Sequence, residues 1–256
     1  MCGLLGWNWG KNRGSILTKE RRAVIATTLV LKSQARGRDS WGLYDVERGV
    51  RTVGTGDITD GLPAPEAATC NFALAHTRAA THGSVTLKNC HPFEIGNIVG
   101  AHNGVIWNHA ELNKKYERSF DVDSMHIFQH LVDGRELGEL ESYGAIEYVR
   151  TDAPRRVYLC RWNGGDLSVW KFGPGVVWAS SNEALLTAAR LAGIWKEDSV
   201  FPYSIKESVL YFIENGTLYE TNTRYGFGVR KRTSTRPNAG RAPGGGAYSS
   251  FDEWCR

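Results

Sequence analysis

The chain has 256 residues, of which 41% are hydrophobic and 23% charged, and 31 basic against 27 acidic side chains leave a net charge of +4. That length allows one large domain or two small ones with a sizeable core. The apolar and charged shares are those of an ordinary globular chain, and +4 is too small a charge to argue for nucleic acid as a partner. No apolar run approaches the ~18 residues of a membrane span, and Leu4-Leu5 is followed at once by Trp7-Asn8-Trp9-Gly10-Lys11, unlike a signal peptide. Five cysteines (Cys2, Cys70, Cys90, Cys160 and Cys255) are unevenly spaced and form no C-x-x-C pair. They argue against a disulfide scaffold or a zinc site and for a reducing cytoplasm.

In chain order, the apolar spacing predicts mixed α and β structure with strands in the majority. A helix is expected after Thr18, with Glu20 in its first turn and Val24, Thr28 and Leu31 on one face. Strands are expected at Trp41–Asp45, Phe72–His76 and Ile98–His102. Asp123 and Ser124 read as N-cap residues of a second helix that turns Ile127, Phe128 and Leu131 inward. Further strands are expected at Val157–Arg161, Leu167–Phe172 and Val176–Ser180. A third helix then starts near Asn182-Glu183, packs through Leu185, Leu186 and Ala189 and stops at Gly193. Val209–Glu214 reads as a last strand, and Glu214-Asn215-Gly216-Thr217 as a tight Asn-Gly hairpin turn. The composition then changes. Residues 224–256 hold seven Arg or Lys, a Gly244-Gly245-Gly246 run and almost no aliphatic side chains. We therefore expect a domain over 2–221 and a flexible basic, Gly-rich tail over 222–256, either a plain solvated extension or a docking arm.

Cys2 follows the initiator methionine, and its small size favours removal of Met1. The mature chain would then carry a thiol and a free α-amine on one carbon. With a reference pKa of about 7.7–8.0, that amine can serve as the base that a thiol nucleophile needs. Four other segments place polar donors and glycines at strand ends or turns. They are Arg36-Gly37-Arg38-Asp39-Ser40-Trp41-Gly42, His76-Thr77-Arg78-Ala79-Ala80-Thr81-His82-Gly83, Asn89-Cys90-His91-Pro92-Phe93 and His102-Asn103-Gly104-Val105-Ile106-Trp107-Asn108. Singly, each has a structural reading: a surface strand end for Arg78, structural histidines for His82 and His91, a hairpin turn for Asn103-Gly104.

The order and spacing of these segments behind Cys2-Gly3-Leu4-Leu5-Gly6 resemble the class II glutamine amidotransferase domains, the N-terminal nucleophile glutaminases. Within that family the motif order most resembles the glutaminase half of glucosamine-6-phosphate synthase, and Val122-Asp123-Ser124, Ser181–Leu186 and Glu214–Leu218 extend the match over about residues 2–220. The resemblance implies an α+β fold, the Ntn-hydrolase four-layer αββα sandwich with two mostly antiparallel sheets. It implies hydrolysis of L-glutamine to glutamate and ammonia through a γ-glutamyl thioester on Cys2, with an oxyanion hole from the Asn103 side-chain amide and the Gly104 N–H. Arg78 would clamp the α-carboxylate with help from Thr81 and His82. Asp123 would pair with the α-ammonium, beside its alternative role as a helix cap, and Arg36 and Gly37 would pack around the N-terminus.

Two positions depart from the family pattern. Ala79 stands where the family has a tryptophan that gates ammonia transfer, with Trp107 as a conceivable substitute, and Met125 stands where it has a glutamate. No synthase domain is expected after residue 221. The first expectation is therefore a glutaminase subunit that supplies a separate ammonia-accepting synthase or amidating enzyme. The alternatives are a stand-alone γ-glutamyl amide hydrolase and a catalytically silent binding or regulatory subunit. No metal or organic cofactor is indicated, nor a membrane or nucleic-acid partner.

Overall fold

A computed structural model describes residues 2–10, 17–61, 70–195 and 201–230. Among these residues thirteen strands fall into two sheets, and every pairing between strands is antiparallel. The first sheet is built from β1 (Gly3–Asn8), β2 (Ser40–Asp45), β3 (Val50–Thr55), β4 (Phe72–Arg78), β9 (Ser168–Phe172), β10 (Gly175–Ala179) and β11 (Tyr203–Ser204). Its order is β11-β9-β10-β1-β4-β2-β3, which puts β1 in the middle. The second holds β5 (Phe93–Ile95), β6 (Ile98–Ile106), β7 (Ser142–Arg150), β8 (Val157–Trp162), β12 (Val209–Glu214) and β13 (Thr217–Arg224), in the order β13-β12-β8-β7-β6-β5.

Alternation along the strands explains the layering, because successive side chains face opposite sides of a sheet. Leu4, Leu74, Val99, Ala101, Ala145, Val149, Leu159 and Trp178 meet between the two sheets. On the far side of the first sheet Leu5, Trp7, Ala73, Ala75 and Val177 pack under α1 (Lys19–Gln34) and α5 (Asn182–Leu191). On the far side of the second, Ile98, Ile106, Ile146, Tyr148 and Trp162 pack with α3 (His109–Lys115) and α4 (Met125–Val132). A one-turn helix, α2 (Ile58–Gly61), lies beside β3. The result is the four-layer αββα sandwich implied by the resemblance.

The three expected helices are present, with instructive differences. The Thr18 hydroxyl caps α1 by accepting the Arg21 N–H at 3.3 Å, but the buried face runs through Ile25, Leu29 and Ser33. Of the expected face, Thr28 is buried and Val24 packs against the core, but Leu31 is 52% exposed. Ser181 caps α5 through the Ala184 N–H at 3.2 Å, and Gly193 takes the left-handed conformation just past its end. Ser124 precedes α4 but makes no side-chain cap, because its hydroxyl turns to β6 instead. At the β12–β13 turn Asn215 and Gly216 both have positive φ, as an Asn-Gly hairpin requires.

The packed chain extends past residue 221, the expected domain end. β13 runs to Arg224, the Tyr225 hydroxyl bonds that of Tyr148 at 2.8 Å, and Phe227 stacks on Trp162 with centroids 3.6 Å apart. The aromatic side chains of 225–227 give this stretch the apolar area that the basic composition around it obscured. The rest of the expected tail, 231–256, lies outside the described residues. Among the described residues no helix is long and apolar enough to cross a membrane.

Candidate active site

Cys2 lies immediately before β1, which runs antiparallel to β4 with Gly3 opposite Thr77 and Leu4 opposite His76. This register brings Cys2 to the end of β4, where the Ala79 N–H points at Sγ from 3.4 Å and the thiol reaches the Ala79 carbonyl at 3.5 Å. The segment after α1 holds the pair together. Arg36 Nε donates to the Cys2 carbonyl at 2.9 Å, the Asp39 N–H donates to the Arg78 carbonyl at 3.0 Å, and Asp39 Oδ2 accepts the Ala80 N–H at 2.7 Å. Gly37 rests so closely on the Arg78–Ala79 peptide that a Cβ there would lie 2.4 Å from the Arg78 carbonyl carbon.

Burial pushes the Cys2 thiol up from its ordinary value, while the Ala79 N–H and the Arg78 charge pull it down. In a chain that retains Met1, the nitrogen of Cys2 is a peptide nitrogen and cannot act as a base.

Arg78 is only 2% exposed, and its guanidinium donates to the carbonyls of His82, Gly83 (3.5 Å) and Ser84 (3.3 Å) in the turn that follows. The turn thereby carries Thr81 and His82 around to face the start of α4. Asp123 Oδ2 accepts the Ile106 N–H at 2.7 Å, and its other oxygen stands 3.8 Å from His82 Nδ1. Cys2, Arg78, Ala79, Thr81, His82, Gly104 and Asp123 line a single cleft. Asn103, Arg36 and Gly37 are not among its lining residues.

The free edge of β6 shows how Gly104 is presented. N–H groups two residues apart in a strand project from the same edge. The His102 N–H goes to His91 Nδ1 at 3.2 Å and the Ile106 N–H goes to Asp123 Oδ2. The Gly104 N–H, midway between them, therefore leaves the same edge toward the cleft. On its other side Gly104 pairs with Gly144 of β7, so closely that a Cβ on Gly104 would lie 2.0 Å from the Tyr143 carbonyl oxygen. The neighbouring Asn103 side chain projects from β6 toward the first sheet, where its Nδ2 donates to Ser180 Oγ at 3.1 Å.

Three buried histidines support this edge. His76 Nε2 contacts the His102 carbonyl at 3.2 Å and must donate, since a carbonyl only accepts. The His91 ring stacks on His76 with centroids 4.2 Å apart, and His102 Nδ1 meets the Ser124 hydroxyl at 2.9 Å. Burial lowers His76 to about 3 and His102 to about 4, and holds His91 well below the usual imidazole range. All three are neutral near pH 7, so they hold the strand and the turn rather than supply protons.

Sequence reasoning missed Ser180, which closes the expected strand Val176–Ser180; no motif marks where its hydroxyl points. It also missed the Ala79 backbone and Ser124 as neighbours of the thiol and of His102. Trp107, the suggested stand-in for the gating indole, stacks on Tyr143 at 5.5 Å outside the cleft lining. Among the described residues no group of three or more His, Cys, Asp or Glu side chains is placed to hold a metal ion.

A glutamine–fructose-6-phosphate aminotransferase (isomerizing) of Gluconobacter oxydans is 34% identical over 144 residues, covering 52% of this chain and 22% of that protein. The Vibrio vulnificus enzyme of the same name is 28% identical over 236 residues, covering 82% of this chain and 37% of its own. The chain thus spans only about a fifth to just over a third of the length of these curated relatives. Two solved structures share the fold at 18% identity, each over 89% of this chain and 50% of its own. They are an allosteric regulatory enzyme of purine biosynthesis (TM-score 0.63) and the glutamine phosphoribosylpyrophosphate amidotransferase of B. subtilis (TM-score 0.59). A profile of the family described as "Glutamine amidotransferases class-II" matches residues 19–148, half of the sequence, and the chain belongs to that family.

Proposed function

We propose that this protein, once Met1 is removed, hydrolyses L-glutamine to glutamate and ammonia through a γ-glutamyl thioester on Cys2 and passes the ammonia to a separate synthase or amidating enzyme. The observation that supports this reading is the meeting in one cleft of a thiol, a buried arginine, a buried carboxylate and an unpaired strand-edge N–H. Glutamine needs a partner for its α-carboxylate, its α-ammonium and its carboxamide, and these groups match it. Arg78 takes the carboxylate, assisted by the Thr81–His82 turn. The Asp123 oxygen not used by Ile106 takes the ammonium.

The free α-amine of Cys2 removes the thiol proton, and the thiolate attacks the carboxamide carbon. Negative charge moves to the carboxamide oxygen, where the Gly104 N–H and an Asn103 Nδ2–H receive it; losing one such donor typically costs on the order of 10²–10³ in rate. The protonated α-amine of Cys2 gives its proton to the departing nitrogen as the C–N bond breaks, and ammonia leaves. Water, deprotonated by the same amine, then attacks the thioester carbonyl and releases glutamate and the thiol.

The test is covalent trapping. A glutamine-shaped diazoketone, 6-diazo-5-oxo-L-norleucine, should label Cys2 once per chain in protein lacking Met1, and glutamine should protect. Labelling that glutamine does not suppress, or labelling at another cysteine, would contradict the reading. One observation favours a second reading, a γ-glutamyl amide hydrolase: Ala79 puts a methyl group beside the thiol where the family has an indole, leaving room for a substituted leaving group. A several-fold preference for a γ-glutamyl alkylamide over glutamine would select it.

A further inference from the structure

Ser180 follows β10 and is 5% exposed. Its backbone N–H donates to the Leu4 carbonyl at 2.9 Å, and its hydroxyl accepts the Leu4 N–H at 3.1 Å, so it is fastened to both polar groups of the residue two places after Cys2. The same hydroxyl oxygen accepts Asn103 Nδ2 from the other sheet. A single oxygen thus bridges the space between the strand that carries the thiol and the strand that carries the carboxamide, and two N–H donors occupy both of its lone pairs.

We infer that Ser180 is a positioning residue for the oxyanion hole: it holds one Nδ2–H of Asn103 so that the other is available to the oxyanion. The inference rests on the glutaminase reading. A terminal carboxamide has a broad, two-fold torsional preference, so an untethered Asn103 also samples orientations that turn Oδ1 toward the developing charge and oppose it. The sheet itself does not need the hydroxyl. The register of β1 on β10 is carried by Leu5 on Ala179, Gly6 on Trp178 and the pairs beyond, and the Ser180 N–H to Leu4 bond is backbone only.

The experiment uses full-length protein lacking Met1. Ser180→Ala should lower kcat for glutamine by about 10- to 100-fold, with KM within about threefold, because the lost interaction acts in the transition state. Alkylation of Cys2 by iodoacetamide, which develops no oxyanion, should keep the wild-type rate. Ser180→Thr, which keeps a hydroxyl, should recover part of kcat. Ser180→Ala combined with Asn103→Ala should fall no further than Asn103→Ala alone. Losses that add, an unchanged kcat, or an equal slowing of alkylation would overturn the inference.

A crystal structure of Ser180→Ala tests the same point without turnover. A carboxamide of Asn103 displaced from its present position supports the inference, and one left in place overturns it. If the wild-type protein releases no glutamate, the glutaminase reading fails, and the crystallographic comparison alone then decides whether Ser180 holds Asn103.

Discussion

The buried histidines under the cleft make stability depend on mild acid. His76 is held to about 3 and His102 to about 4 by burial, both below the unperturbed imidazole value of 6.5. The unfolded chain therefore binds protons that the folded chain refuses, and stability is lost as pH falls below 6.5. At pH 5.5 the unfolded imidazoles are mostly charged, and each of these two residues lowers the unfolding free energy by RT ln(1 + 10), about 1.4 kcal/mol. Together they lower it by about 3 kcal/mol, and His91 acts in the same direction. Against a typical domain stability of about 5–15 kcal/mol this is a large effect. Ordinary carboxylates contribute little over this interval, since their range lies below pH 5. Glu147, raised by burial, contributes more stability as pH falls and would offset the loss, so the comparison is made in Glu147→Gln protein. The assay is urea denaturation at pH 7.0 and 5.5, followed by tryptophan fluorescence. The expected result is a clear fall in midpoint at constant slope, worth about 3 kcal/mol or more. A change below about 1 kcal/mol would refute the reasoning, because it would mean that these imidazoles are protonated or reached by water in the folded state.

Three further outcomes are expected. Arg78→Lys, which keeps the charge but loses the planar fork, should raise KM for glutamine about 10- to 100-fold with a smaller change in kcat, as steady-state kinetics will show; an unchanged KM would remove Arg78 from substrate binding. Glu147 is fully buried between the sheets, accepts the Trp178 indole N–H at 2.5 Å and is pushed well above the usual carboxyl range by burial. Folding therefore favours its protonated form, a preference that becomes a cost as pH rises above 4.5. Glu147→Gln should then be more stable than wild type at pH 8 in thermal melts, with the gap closing below pH 4.5; equal stability at pH 8 would contradict this. In protein lacking Met1, kcat/KM for glutamine should rise between pH 6 and 8.5 as the α-amine loses its proton and becomes able to accept that of the thiol; a flat profile would argue against the amine as the base.

Much of the site was legible because its chemistry sits in short contiguous motifs. Arg78–His82 and Asp123 stand at a strand end and before a helix start, as local spacing predicts, whereas Asn103-Gly104, expected just past a strand ending at His102, lies inside β6. The antiparallel register of β1 on β4 brings the first of these to Cys2. What local spacing cannot supply is a long-range partner. Asp123 and Ser124 carry the composition of a helix cap, yet their side chains serve Ile106 and His102, because β6 lies alongside the start of α4. Ser180 has no local signal at all, since its role depends on strands that begin at residues 3 and 98. β7 was missed although it pairs with both β6 and β8, because Glu147 and Gly144 interrupt its apolar alternation. On α1 Val24 and Thr28 were read correctly and only Leu31 was misplaced, for a related reason: it looks like a core residue, but the sheet below meets Ile25, Leu29 and Ser33.

The measurement that weighs heaviest is glutamate release from L-glutamine by protein shown by mass spectrometry to begin at Cys2, beside Cys2→Ala and beside protein that retains Met1. The account predicts release by the trimmed protein alone, with both controls at background. Equal release by Cys2→Ala, or none from trimmed protein that the diazoketone also fails to label, would contradict it.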